Sequence, residues 1–135
     1  MSNHTALIVD DEPDIRSLLE ITLVRMGITT YTAADLASAR AILDEHKPQL
    51  CLTDMNLPDG NGIELVQWIQ QHSPSTPVAV ITAYGSMDTA IESLKAGAFD
   101  FVSKPVELPR LRELVNSALK LPEPKTEITA ETDNP

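Results

Sequence analysis

Short, continuous apolar runs alternate along this chain with longer stretches in which apolar positions recur every three or four residues. The runs predict buried strands and the stretches predict amphipathic helices. The first run, residues 5–9, stops on Asp10 and Asp11. Glu12, Pro13 and Asp14 then open a helix, since proline suits a first turn and acidic groups favour the positive helix end. Ile15, Leu18, Leu19, Thr22, Leu23 and Met26 form its inner stripe, and Gly27 ends it. Residues 28–32 make a more polar strand suited to a sheet edge. A second helix follows over 35–46, with Leu36, Ala39, Ile42 and Leu43 inward and Lys47 and Pro48 as its stop.

Residues 49–53 form the third strand, which ends on Asp54. Pro58, Asp59, Gly60, Asn61 and Gly62 then read as a turn. Asn61 caps a third helix running to Ser73, with Ile63, Val66 and Ile69 on one face. Residues 78–81 are a fourth strand ending on Thr82. A fourth helix is capped by Ser86 or Asp88, finishes at Gly97, and carries Met87, Ala90, Ile91 and Leu94 as a stripe expected in the core. Residues 99–102 are the fifth strand, leading to Lys104 and Pro105. The last helix spans 107–120, with Leu108, Leu111, Leu114, Val115 and Leu119 at helical spacing. Residues 121–135 are rich in Pro, Glu and Thr without periodicity, and are expected to be a disordered tail or the start of a linker.

Five strands alternating with five helices predict an α/β fold, a parallel sheet covered on both faces with right-handed crossovers. The flavodoxin-like order 2-1-3-4-5 puts the polar second strand at the edge and the strand ending on Asp54 in the centre. One domain over residues 1–120 is expected. The 135 residues carry one cysteine, which precludes an internal disulfide and suits a reducing, cytoplasmic compartment. No apolar run reaches membrane-spanning length, and the N-terminus lacks signal-peptide features. With 10 basic and 20 acidic residues the net charge is −10, which argues against direct nucleic-acid binding.

Four strands end on reactive polar groups: Asp10 with Asp11, Asp54, Thr82 and Lys104. Singly, each has an ordinary explanation: a solvated helix start, a turn former, a cap, a surface charge. Together, at the ends of four strands that share one sheet edge, they read as a site. Crowded carboxylates take up a proton or a cation, and carboxylates with a backbone carbonyl suit Mg²⁺. An ionised aspartate is already a nucleophile, so attack on phosphorus to give an aspartyl phosphate would use every member of the set. Nucleotide binding fares worse, because an acidic loop rather than a glycine-rich one follows the first strand.

With these motifs, residues 5–120 resemble the receiver domains of two-component response regulators. The resemblance implies that Asp54 is the phosphoacceptor and that Asp10 and Asp11, with Asp54 and the main-chain carbonyl of Asn56, hold Mg²⁺. It implies further that Thr82 and Lys104 contact the phosphoryl group and that the peptide bond from Lys104 to Pro105 is cis. The stretches 81–86 and 96–101 are similar to the nitrogen-regulator class, and within it to activators of type IV pilin genes. Such receivers are served by a sensor histidine kinase and precede a sigma-54-dependent ATPase and a DNA-binding domain. Thr82, Ala83 and Phe101 would act as the switch. Met87, Ile91 and Phe101 would be contacts of a homodimer that responds to phosphorylation.

Two other functions use the same fold: a Mg²⁺-dependent phosphohydrolase and a phosphate-independent interaction module. The first wants an acid two residues after Asp54, where Asn56 stands; the second is expected to have lost Lys104, Thr82 or an acidic partner, and none is lost. Cys51 is expected to be an inert buried thiol. His4, His46 and His72 are not placed as ligands or bases, and Gln67 and Trp68 read as surface packing.

Overall fold

The computed structural model describes residues 4–83 and 87–119. Five strands form one parallel sheet: β1 (His4–Val9), β2 (Ile28–Ala33), β3 (Cys51–Asp54), β4 (Val78–Thr82) and β5 (Asp100–Ser103). Their order is β2-β1-β3-β4-β5, the arrangement expected from the sequence. Helices α1 (Pro13–Arg25), α2 (Leu36–His46), α3 (Gly62–His72), α4 (Met87–Ala96) and α5 (Leu108–Leu119) connect and cover it. The third and fifth strands each begin and end later than the apolar runs suggested. The segment 121–135, Lys120 and the capping candidate Ser86 lie outside the described residues. Asp88, the alternative cap, lies inside α4.

Successive residues of a strand point to opposite faces, so a sheet covered on both sides needs apolar residues throughout. Leu7 and Val9 of β1 join Leu36, Leu43, Leu65, Val66 and Ile69 in the core under α2 and α3. Ala6 and Ile8 join Leu19, Leu23, Leu52, Ile81, Leu111 and Leu114 under α1 and α5. Leu65 belongs to the core under α2 and α3 although its spacing did not mark it. Of the α1 stripe, Leu19, Thr22 and Leu23 are buried and Ile15 and Met26 pack half-buried against the same core; Leu18 is exposed, with Ile21 and Val24 more so. The α4 stripe is corrected further: Ala90 is buried, but Met87 is 63% exposed, Ile91 45% and Leu94 42%. α4 buries Ala90 and Ser93, so its large apolar residues face outward. Cys51 is fully buried, and burial pushes its thiol far above the usual range.

Local signals set the helix ends. Pro13 opens α1, and Gly27 follows its last turn at φ +84°, a left-handed conformation that costs glycine little. The side chains of Asp35 and Asn61 accept from the N–H groups of Ser38 and Glu64 at 2.8 and 3.0 Å. Trp68 stacks on His72 and Tyr31 on His46, each pair with ring centroids 4.4 Å apart, as surface packing.

The stretch after Asp54 is more structured than a plain turn. Residues 56–57 and 60–61 pair as a small antiparallel hairpin, with Asn56 opposite Asn61. Asp59 in its turn reaches across to α2, where its carboxylate accepts from the N–H groups of Leu36 at 2.8 Å and Ala37 at 3.1 Å. The Leu36 hydrogen bond holds the Asp59 carboxyl below its usual range. A group with a depressed folded pKa stabilises above its unfolded value of 3.8, and that contribution is lost as pH falls below it. Asp59→Ala is therefore expected to lower Tm by roughly 5 °C at pH 7, with the difference closing below about pH 4. Thermal melts of both proteins at pH 7 and pH 3 check this.

Candidate functional site

Parallel register brings the strand ends together. Val9 is level with Thr53, Asp54 with Ile81 and Thr82 with Ser103. Asp10 therefore lies just past β1 beside Asp54, and Lys104 just past β5 beside Thr82. Backbone bonds fix both ends: Met55 donates to Ile81 at 3.0 Å and Lys104 to Thr82 at 2.8 Å. Three residues of this edge are almost wholly withdrawn from water, Asp10 at 0%, Thr82 at 1% and Asp54 at 5% exposure. The peptide bond from Lys104 to Pro105 is cis, as expected.

The Lys104 ammonium sits among three carboxylates. Nζ is 2.7 Å from Glu12 Oε1, 3.3 Å from Asp54 Oδ2 and 3.8 Å from Asp10 Oδ2. Asp10, Glu12 and Asp54 each present an oxygen within 4.8 Å of the others. Asp11, expected in this group, is exposed and not part of it, whereas Glu12, expected only to open α1, is. The loop explains the exchange: Glu12 donates its N–H to Asp10 Oδ1 at 2.9 Å, a tight turn that folds the Glu12 side chain back over the strand ends. Arg16 completes the corner by donating to the Asp10 carbonyl at 2.7 Å.

The electrostatics follow from burial. Desolvation pushes the Asp10 carboxyl up to about 6; the Glu12 N–H opposes this and the Asp54 charge adds to it. Asp54 is raised as well, first by burial, with Lys104 working against the shift. Burial also penalises the Lys104 ammonium, but its hydrogen bond to Glu12 and the charges of Asp54 and Asp10 outweigh that, and its net shift is upward. Two oxygens of the site lack a hydrogen-bond partner although buried: Asp10 Oδ2 and the Thr82 hydroxyl. Buried polar atoms left in this way are costly, and here both belong to one sheet edge. A carboxylate oxygen without a partner beside a second buried carboxylate fits a hard divalent cation.

Gly62 has a role the sequence did not disclose. Its N–H donates to Met55 at 2.7 Å, and a Cβ there would come within 2.5 Å of the Asp54 carbonyl. Only glycine lets the start of α3 pack this closely against the end of β3. Nothing in the order of residues marks that contact, which exists only after the hairpin closes. Asn56 is exposed at the start of the hairpin, Ala83 is exposed just past Thr82, and Phe101 is half-buried on β5. Beside Phe101 a groove of about 430 Å³ runs between Lys104 and Arg110. Arg110 bridges Asp100 at 3.0 Å and donates to the Phe101 carbonyl at 2.9 Å.

Known proteins share this fold. The family model for the response regulator receiver domain matches residues 6–116. The chain is 63% identical over 134 residues to the response regulator protein PilR of Pseudomonas aeruginosa, covering 99% of this chain and 30% of that protein. It is 37% identical to the regulatory protein AtoC of Escherichia coli, over 90% of this chain and 26% of that one. The chain thus spans less than a third of these relatives. Among solved structures, the receiver domain of NtrX from Brucella abortus superposes with a TM-score of 0.82 at 35% identity, over 87% of this chain and 99% of that one. A beryllofluoride-activated NtrC4 receiver domain dimer gives 0.81 at 34% identity, over 86% and 96%. The fold and these matches agree, and the chain belongs to the response regulator receiver domain family.

Proposed function

We propose that the chain is a phosphorylation-dependent switch in which Asp54 accepts a phosphoryl group from the phosphohistidine of a sensor histidine kinase. One observation carries this reading: the buried Asp54 carboxylate lies 3.3 Å from Lys104, beside a strand whose Thr82 hydroxyl is buried and without a partner. One Asp54 oxygen attacks phosphorus; the bond from phosphorus to the donor nitrogen breaks, and its electron pair leaves with the imidazole. Lys104 holds one phosphoryl oxygen and Thr82 donates to another, so both offset charge where it develops. Asp10, Asp54 and the Asn56 carbonyl would hold Mg²⁺, with the exposed Asp11 joining them by turning its side chain inward; the ion when bound offsets the negative charge shared by carboxylate and phosphoryl oxygens. The chemistry is limited to uptake and loss of this one phosphoryl group.

Intact-mass measurement after incubation with a small phosphodonor, with and without Mg²⁺, tests the reading. A Mg²⁺-dependent gain of one phosphate mapping to Asp54 supports it. Turnover of many donor equivalents points to a hydrolase, and no gain sinks the assignment. Mg²⁺ binds the folded chain alone on this reading, so it is expected to raise Tm with concentration, by about 2.7 kcal/mol of stability at a hundred times its Kd. Asp11→Ala should remove most of that gain, and melting curves of the parent that ignore Mg²⁺ would show the metal set to be wrong.

The remaining assignments extend this reading. Residues 1–120 are the receiver and 121–135 a tail or linker, leading in a longer cytoplasmic protein to a sigma-54-dependent ATPase and a DNA-binding domain. A phosphoryl group adds roughly two negative charges and three acceptor oxygens. Drawing Thr82 toward it moves Ala83 and leaves room into which Phe101 turns, so the face of α4, β5 and α5 changes shape. The outward apolar residues Met87 and Ile91 suit a homodimer contact there. The monomer–dimer equilibrium is therefore expected to shift on phosphorylation or with a beryllium fluoride mimic, by about 5- to 150-fold. In sedimentation, Thr82→Ala should take up phosphate yet shift little, and Ile91→Asp should be modified normally without responding. If both shift as the parent does, the output face lies elsewhere.

A further inference from the structure

The carboxylate nearest to Lys104 is not the one that would receive the phosphoryl group. Glu12 Oε1 lies 2.7 Å from Nζ, closer than Asp54 Oδ2 at 3.3 Å. The Glu12 side chain is 57% exposed where that of Asp54 is 7%, so Glu12 stands at the mouth of the site and Asp54 at its floor. Its main chain is held there by the bond to Asp10 Oδ1 and by Pro13, the first residue of α1. An ammonium has three protons to donate. Lys104 donates to Glu12 and to Asp54, while Asp10 at 3.8 Å lies beyond hydrogen-bond reach, so the shorter Glu12 contact draws the ammonium toward the mouth and competes with a phosphoryl oxygen for it.

We propose that Glu12 is a positioning residue that holds Lys104 toward the mouth of the unphosphorylated site and slows phosphoryl uptake by competing for its ammonium. The proposal rests on the reading of Asp54 as phosphoacceptor. Two effects act in one direction. Glu12 occupies the ammonium that an incoming phosphoryl group needs, and its own charge opposes an anionic donor at the entrance. One unit charge at about 4 Å in a water-like medium corresponds to roughly a five-fold change in rate.

Glu12→Gln keeps the side-chain length and the main-chain bond to Asp10 while removing the charge. In EDTA, nitrogen-15 NMR of the Lys104 ammonium reports the contact directly, because a hydrogen bond to a carboxylate slows exchange of its protons with water. The parent is expected to show that signal and Glu12→Gln to show faster proton exchange, since only the longer Asp54 contact remains. With acetyl phosphate and excess Mg²⁺, the intact-mass time course of Glu12→Gln is expected to run about five times faster than the parent. A Lys104 signal unaffected by the substitution, or uptake no faster than the parent, overturns the proposal. If the parent takes up no phosphate at all, the Asp54 reading fails, and the competing role of Glu12 falls with it even where the NMR contact is seen.

Discussion

Asp54→Ala is expected to take up no phosphate under conditions in which the parent gains one, and to be at least as stable as the parent in Mg²⁺-free buffer. The first half follows from the chemistry, since Asp10, the other buried carboxylate of the site, stands farther from Lys104, at 3.8 Å against 3.3 Å for Asp54. The second half follows from the electrostatics. Burial is the main cause that raises the Asp54 carboxyl, so its charged form is held in the fold against a cost. Truncation removes that cost, along with part of the repulsion that raises Asp10. Lys104 is not stranded, because Glu12 at 2.7 Å and Asp10 at 3.8 Å remain. Leaving a buried charge unpaired is what makes many such truncations severe, and here that mechanism is absent. Mass spectrometry and thermal melts in EDTA check the two halves separately. A clear drop in Tm would mean that Lys104 depends on Asp54 far more than its distances suggest.

The second large effect is in pH. Asp10 is fully buried and its carboxyl is raised from 3.8 to about 6. Between those values the folded chain binds a proton that the unfolded chain does not. The stabilisation is fully present below 3.8 and is lost as pH rises through about 6. In Mg²⁺-free buffer Tm is therefore expected to rise as pH is lowered from 7.5 to 5, with a ceiling for Asp10 of roughly 1 kcal/mol over that range. Asp54, raised for the same reason, acts in the same direction. Asp10→Asn should be the more stable protein at pH 7.5 and should show a clearly smaller rise on acidification. A parent Tm that falls from pH 7.5 to 5 would contradict the burial of a charged Asp10. The requirement for Mg²⁺-free buffer is physical, since a cation at this site would favour the ionised carboxylates and mask the effect.

The core followed the pattern where position alone decides burial. The runs at β1 and β4 are apolar on both faces because helices cover both sides, and residues 78–81 could only be such a strand. α5 kept its stripe, with Leu111, Leu114 and Val115 buried. The pattern failed at α4, whose Met87, Ile91 and Leu94 have helical spacing yet face outward. Periodicity marks a coherent apolar face, not what covers it. Leu18 of α1 failed in the same way, at the margin of a stripe narrower than its spacing implied.

By itself the sequence determined the alternation of strands and helices, the polar edge strand, the cap at Asn61, and the strand-end positions of Asp10, Asp54, Thr82 and Lys104. All of these depend on neighbours within a few residues, where spacing and side-chain chemistry act directly. Only the tertiary structure decided which of two adjacent acids, Asp11 or Glu12, turns toward Lys104, a choice set by the turn that Asp10 Oδ1 closes on the Glu12 N–H. It also decided that Gly62 must lack a side chain against the Asp54 carbonyl, and that Asp59 caps a helix 23 positions away. Such contacts join segments distant in sequence. Their energies depend on distances of a few tenths of an ångström, which exist only once the sheet is assembled.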